Sequence, residues 1–215
     1  MGVYFNDRTA LGRTLASNLL QYKGRDAVIV CIKESSLLTA LSAAMELRAW
    51  VYPLVYESIY TTDGSHRILG AFDEAGNFVA GDLSITSEDI VTAESQKSLA
   101  LAAIKDRMVR YEMTLEKQAM NNRPVIIMGD IVTNTLPLIV TSHLLDDIRP
   151  SGLSIAVGNA TVETAAMIQT IAEKPIILDV ISGVVQNDEH YFEHTDAYSS
   201  DQKHTLTQHI RTYWH

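Results

Sequence analysis

Apolar positions along the chain follow two alternating patterns. Short unbroken runs rich in β-branched residues occupy 27–32 (AVIVCI), 124–128 (PVIIM), 153–157 (LSIAV) and 175–180 (PIILDV). Such runs predict strands buried on both faces of a sheet. Between them, apolar residues recur at helical spacing. Leu15, Leu19 and Leu20 predict a helix over 12–23, with Gly24 as its C-cap. Ser35 and Ser36 offer N-caps to a helix that runs to Leu47. Further helices are predicted over 136–145, 162–172 and 205–213, and a long one over 87–117 with Leu101, Ile104, Met108, Tyr111 and Leu115 on one stripe. The run 50–56 (WVYPLVY) reads as a strand in which Pro53 demands an edge or a bulge. Residues 61–65 (TTDGS) form a turn, and 67–72 and 77–80 flank DEAG as a hairpin. The helix–strand–helix–strand order predicts an α/β fold: a mainly parallel sheet with helices on both faces and a small antiparallel hairpin, in one domain over 1–215.

Charge narrows the partners. Seventeen Lys and Arg against 26 Asp and Glu leave a net charge of −9. That balance speaks against nucleic acid and against an anionic membrane surface. A small anionic ligand remains compatible, because backbone N–H groups at a helix start bind phosphate inside an acidic protein. The 215 residues contain one cysteine, Cys31, and no span of the length a bilayer requires. Cys31 sits inside an apolar run and reads as a small buried hydrophobe. The opening residues lack the features of a signal peptide, and a cytoplasmic protein is expected.

In an open α/β sheet, ligands bind beyond the carboxyl ends of the strands. Two candidate loops fall there. One is 129–135 (GDIVTNT), with Gly129, Asp130, Ile131, Val132, Thr133, Asn134 and Thr135; the other is 33–36, with Lys33, Glu34, Ser35 and Ser36. Thr133, Thr135 and the helix start can hold a phosphate, and Asp130 can accept from sugar hydroxyls. Read more plainly, the same threonines only cap a helix. His190 and His194 with Glu193 match an H-x-x-E-H zinc pattern, but their surroundings read as a loop, so no metal site is assigned. No dinucleotide fingerprint, P-loop or nucleophile elbow is present. The mixed charges on the long helix, Glu94, Lys97, Lys105, Asp106, Arg107 and Arg110, read as a solvated face.

Several segments, in order, resemble the type I phosphoribosyltransferases. They are FNDRTALGRTLASNLLQYK (5–23), the stretch DAVIVCIKESSLLTALSAAMELRAWVYPLVY, RILGAFDEAGNFV, RPVIIMGDIVTNT and HYFEHTDAYSSDQKHTLTQHI. The resemblance implies that 129–135 is the phosphoribosyl pyrophosphate loop. Asp130 would hold ribose hydroxyls, and Thr133, Asn134 and Thr135 the 5-phosphate. Lys33, Ser35 and Ser36 would face pyrophosphate, with Mg²⁺ as cofactor, and a homodimer is expected. The chain departs from the pattern at three places. Gly129 replaces the first of two acids, Glu34 stands in the pyrophosphate loop where a carboxylate repels the ligand, and Glu57 and Ser58 stand where the family often has a lysine. These departures favour a phosphoribosyltransferase-like protein that binds a phosphorylated ribose or nucleotide at 129–135 with little or no transferase activity. The alternative is an active enzyme that moves the 5-phosphoribosyl group from phosphoribosyl pyrophosphate to a nitrogenous base.

Overall fold

A computed structural model describes residues 4–111, 116–172, 175–183 and 187–195, together with Ser199 and Thr205. The helix expected over 205–213 lies outside these residues, apart from Thr205. In chain order the main elements are α1 (Arg8–Ser17), β1 (Val28–Cys31), α2 (Leu37–Leu47), β2 (Trp50–Pro53), β3 (Tyr56–Tyr60), β4 (Ile68–Asp73), β5 (Phe78–Ala80), α3 (Ser87–Arg110), β6 (Pro124–Val132), α4 (Leu136–Leu145), β7 (Gly152–Thr161), α5 (Val162–Ile171) and β8 (Ile176–Ile181).

Five strands make a wholly parallel sheet in the order β2-β1-β6-β7-β8. The period of two along each strand divides the core. Ile29, Cys31, Ile126 and Met128 pack with α1 and α2 on one face; Val28, Val30, Val125 and Ile127 pack with α4 and α5 on the other. The β-branched runs thus form strands buried on both faces, as their composition predicts. Pro53 ends the edge strand β2, where its missing N–H breaks no ladder.

The expected strand over 50–56 is two strands. The chain leaves the main sheet after Pro53, and Tyr56 begins a second, antiparallel sheet in the order β3-β4-β5. The hairpin turn at 73–77 falls on DEAG as predicted, with the Asp73 carboxylate accepting from the N–H groups of Ala75 and Asn77 and Gly76 at φ +82°. α3 packs on β3 and β4 through Ala93, Ala100 and Ile104. Its start is a capping box between Thr86 and Asp89. The two ends of the described chain also meet. Phe5 bridges to Phe192, and the N–H of Phe5 donates to the carbonyl of Tyr191 at 2.9 Å.

The largest difference from the sequence reading concerns 129–132. These residues are no loop: β6 runs on to Val132, paired with β7 from Gly129↔Val157 to Val132↔Ala160. A strand covered on both sides continues through a glycine and an aspartate because its backbone groups have partners there. Only Thr133, Asn134 and Thr135 turn between strand and helix.

Candidate functional site

The carboxyl ends of β1 and β6 carry the residues expected to act on a ligand, and the structure gives them unequal surroundings. Asp130 is completely buried. Arg8 Nε donates to its Oδ2 at 2.8 Å, and Ser36 Oγ and the N–H of Ile131 donate to its Oδ1. Its own N–H donates to Ser36 Oγ at 3.0 Å. The carboxylate is therefore saturated by protein donors and has no lone pair facing a ribose. Ser36 is the N-cap residue of α2 but makes no side-chain cap bond, because its hydroxyl is committed to Asp130.

Arg8 is itself buried, reached from α1, whose start is capped by the Asp7 side chain. Besides Asp130 it binds Glu189 Oε1 at 3.0 Å and lies 4.5 Å from the centre of the Phe192 ring. Glu189 Oε2 is buried without a hydrogen-bond partner. Residue 189 belongs to a short 3₁₀ turn, Asp188–Tyr191, that lies against the end of β6. This turn also receives Lys33, whose ammonium pairs with Asp188 and donates to the carbonyl of Ile131 at 2.9 Å. His190, Glu193 and His194 lie in and just after this turn and not on one face of an α-helix. Among the described residues, no three of His, Cys, Asp and Glu gather closely enough to hold a metal ion.

Beyond β1 and β2 opens a cavity of about 330 Å³, walled by Lys33, Glu34, Ser35, Tyr56, Glu57 and Arg107 among others. Arg107 reaches it from α3. The solvated-face reading fails for this residue: its guanidinium pairs with Glu57 and donates to the carbonyl of Tyr56 at 2.9 Å. Glu34 lies 3.7 Å from Arg110 and bonds to Tyr111, whose hydroxyl burial holds well above the usual phenol range. Ser35 Oγ is buried without a partner. Three cations at the cavity and at the neighbouring end of β6 are thus neutralised by carboxylates of the chain itself: Lys33 by Asp188, Arg107 by Glu57 and Arg8 by Asp130 and Glu189.

The third part is the turn at Thr133, Asn134 and Thr135. Asn134 is exposed and both threonines are half-buried. The capping reading is met by Asn134, whose Oδ1 accepts from the N–H of Leu136 at 3.2 Å; Thr135, at the N-cap position, makes no side-chain cap bond. The turn therefore leaves hydroxyls at the positive end of the α4 dipole.

Cys31 lies under the cavity floor, 2% exposed, and burial pushes its thiol up to about 12. The thiolate is the reactive form, so folding suppresses it at every pH below that value. Cys31 is expected to resist a disulfide reagent at pH 8 in the native protein and to react once the chain is unfolded. Fast native labelling would show that the floor opens.

The segments that carry the resemblance include Arg8, within FNDR, and the neighbours of Glu189, within HYFEH. Neither segment is assigned to the site by the sequence. Their contact spans 181 residues, and no local pattern announces it.

A parallel five-stranded sheet between two helical layers, with a small antiparallel sheet over one end, is the type I phosphoribosyltransferase fold. Among solved structures the chain is similar to TT1426 from Thermus thermophilus, with a TM-score of 0.76 and 18% identity over 97% of this chain and 99% of that one. It also aligns with a hypoxanthine phosphoribosyltransferase from Staphylococcus aureus, at a TM-score of 0.45 and 12% identity over 84% of this chain and 77% of the other. A hypothetical protein from Neisseria gonorrhoeae with bound ppGpp aligns at 0.47 and 10%, over 97% of both chains. No family model matches the sequence, and no curated protein matches it. These likenesses speak of fold.

Proposed function

We propose that the protein binds a phosphorylated ribose or nucleotide through the turn at Thr133, Asn134 and Thr135, without transferring the phosphoribosyl group. One observation carries this reading: the Asp130 carboxylate is saturated by Arg8, Ser36 and Ile131, whereas the turn beyond it keeps uncommitted hydroxyls at a helix start. A phosphate needs the second feature; a transferase would need the first to be free as well. The residues do not fit a Mg²⁺-bound diol. Gly129 supplies no carboxylate and Asp130 has none to spare, so binding is independent of Mg²⁺. The cavity beside Lys33 and Arg107 offers pyrophosphate only cations that are already paired, next to two carboxylates that repel it.

Titration calorimetry with ribose 5-phosphate tests the reading. Wild type is expected to bind. Thr135→Val is expected to lose about 1.5–3 kcal/mol of that binding, the worth of one hydrogen bond to a charged group. No heat with wild type would overturn the proposal.

The cavity gives a second expectation. Glu57→Ala releases Arg107 and removes one repelling carboxylate. Inorganic pyrophosphate, silent with wild type, is expected to bind this variant and to be displaced by salt, because the new contact is a partly exposed charge pair. Equal behaviour of the two proteins would show that Glu57 does not block the cavity.

A further inference from the structure

α3 carries an apolar seam that no described part of the chain covers. Ile90, Val91, Leu99 and Val109 on this helix are 49%, 70%, 78% and 68% exposed, and Leu83 just before it is fully exposed. Exposed apolar residues scattered singly are ordinary. Here they share one side of one helix. Val91, Ser95, Ser98, Ala102, Lys105 and Val109 follow one another at steps of four and three, the spacing of a seam between two packed helices. The opposite side of α3, with Ala93, Ala100 and Ile104, is the one buried on β3 and β4. The middle of the exposed seam is small. The Ser95 hydroxyl folds back onto the carbonyl of Thr92 at 2.6 Å, so it asks for no outside partner. Small residues at the centre let a second helix approach closely, with valines gripping at both ends.

Charge selects the occupant. The flank of the seam is acidic towards the start of α3, at Glu88 and Glu94, and carries Lys105 and Arg110 towards its end. A second α3 laid antiparallel, about a two-fold axis near Ala100, sets Val91 of one copy beside Val109 of the other. The same axis brings Glu94 beside Lys105 twice. A parallel arrangement would set Glu94 against Glu94. We infer that α3 is a self-association face, on which two copies of this chain pair through antiparallel α3 helices. The interface is isologous, and the seam is self-complementary as such an interface requires. Glu94 also lies 3.4 Å from Lys97 of its own chain, but that pair is exposed and holds Glu94 weakly.

Sedimentation velocity over a dilution series of the full chain tests this. Wild type is expected to sediment as a dimer that dissociates on dilution. Leu99→Glu and Val91→Glu are expected to sediment as monomers with unchanged circular dichroism and melting temperature, since neither side chain touches the core. Glu94→Lys and Lys105→Glu are each expected to weaken the dimer about tenfold by setting like charges together. The double variant Glu94→Lys/Lys105→Glu restores the pairing with its sign reversed and is expected to recover the dimer. A wild type that stays monomeric throughout overturns the inference. So does a dimer that survives Leu99→Glu, and so does a charge swap that fails to recover what its single variants lose.

Discussion

Replacing Asp130 by alanine is expected to cost about 3–5 kcal/mol of stability, the loss seen when one partner of a buried ion pair is removed. The reason lies in what remains. Arg8 is 1% exposed and would keep its charge with only Glu189 beside it, and the Ser36 hydroxyl and the N–H of Ile131 would lose their acceptor. Against a typical total of about 5–15 kcal/mol, that loss brings the fold close to its limit. Asp130→Asn keeps an acceptor oxygen and is expected to fall between wild type and alanine. Denaturant unfolding of both variants and of Arg8→Met completes the test. In a double-mutant cycle, Arg8→Met with Asp130→Ala is expected to cost less than the sum of the two. An Asp130→Ala protein as stable as wild type would show that the carboxylate is not structural. The prediction also changes how the site is probed. An alanine at 130 reports on folding, so ligand contacts are read at Thr135 and Glu57 instead.

Gly12→Ala is expected to be the next most damaging change, at about 3 kcal/mol, the upper end of ordinary overpacking. Gly12 is where α1 crosses α2. A Cβ there would stand 2.3 Å from the carbonyl oxygen of Thr39 and 2.7 Å from Ser42 Cβ. Neither is the end of a flexible side chain, so the helices must part. α1 carries Arg8 and the start of α2 carries Ser36, so the parting is also expected to loosen both bonds to Asp130. Faster amide exchange at Ile131, which donates to Asp130, would report it. Gly152→Ala is the control. No atom lies within 4 Å of its added Cβ, and it is expected to change stability by no more than about 0.5 kcal/mol. A Gly12→Ala protein that behaves like the control would mean that the two helices are not in close contact.

Both predictions concern residues whose roles are only partly legible in the sequence. The strands at 28–31 and 124–128 are plain, because unbroken β-branched runs have few other uses. The hairpin is plain because Asp73 and Gly76 supply the chemistry its turn requires. The segment 129–135 reads as a longer loop than it is. Glycine, a carboxylate and hydroxyls are loop residues by composition, and only pairing with β7 and neutralisation by Arg8 turn the first four of them into strand. Ser36 reads as a cap because capping is local, whereas its actual partner lies 94 residues away. Arg107 reads as solvated for the same reason: the helix pattern shows which face is charged, not that Glu57 and Tyr56 come up to meet it. What escapes the sequence is of one kind. Each case is a polar or charged group whose environment is set by a distant segment. The departures at Gly129, Glu34 and Glu57, by contrast, are visible from the resemblance, and the structure places all three beside the features they alter.

The measurement that tests the central claim most directly is a pair of calorimetric titrations on the wild-type chain, ribose 5-phosphate against phosphoribosyl pyrophosphate, each with and without Mg²⁺. A phosphate-binding turn beside a saturated Asp130 predicts that ribose 5-phosphate binds, that Mg²⁺ leaves its affinity unchanged, and that the pyrophosphate form binds no more tightly. Tighter binding of phosphoribosyl pyrophosphate that depends on Mg²⁺, with pyrophosphate released when a nitrogenous base is added, would contradict it and show a working transferase.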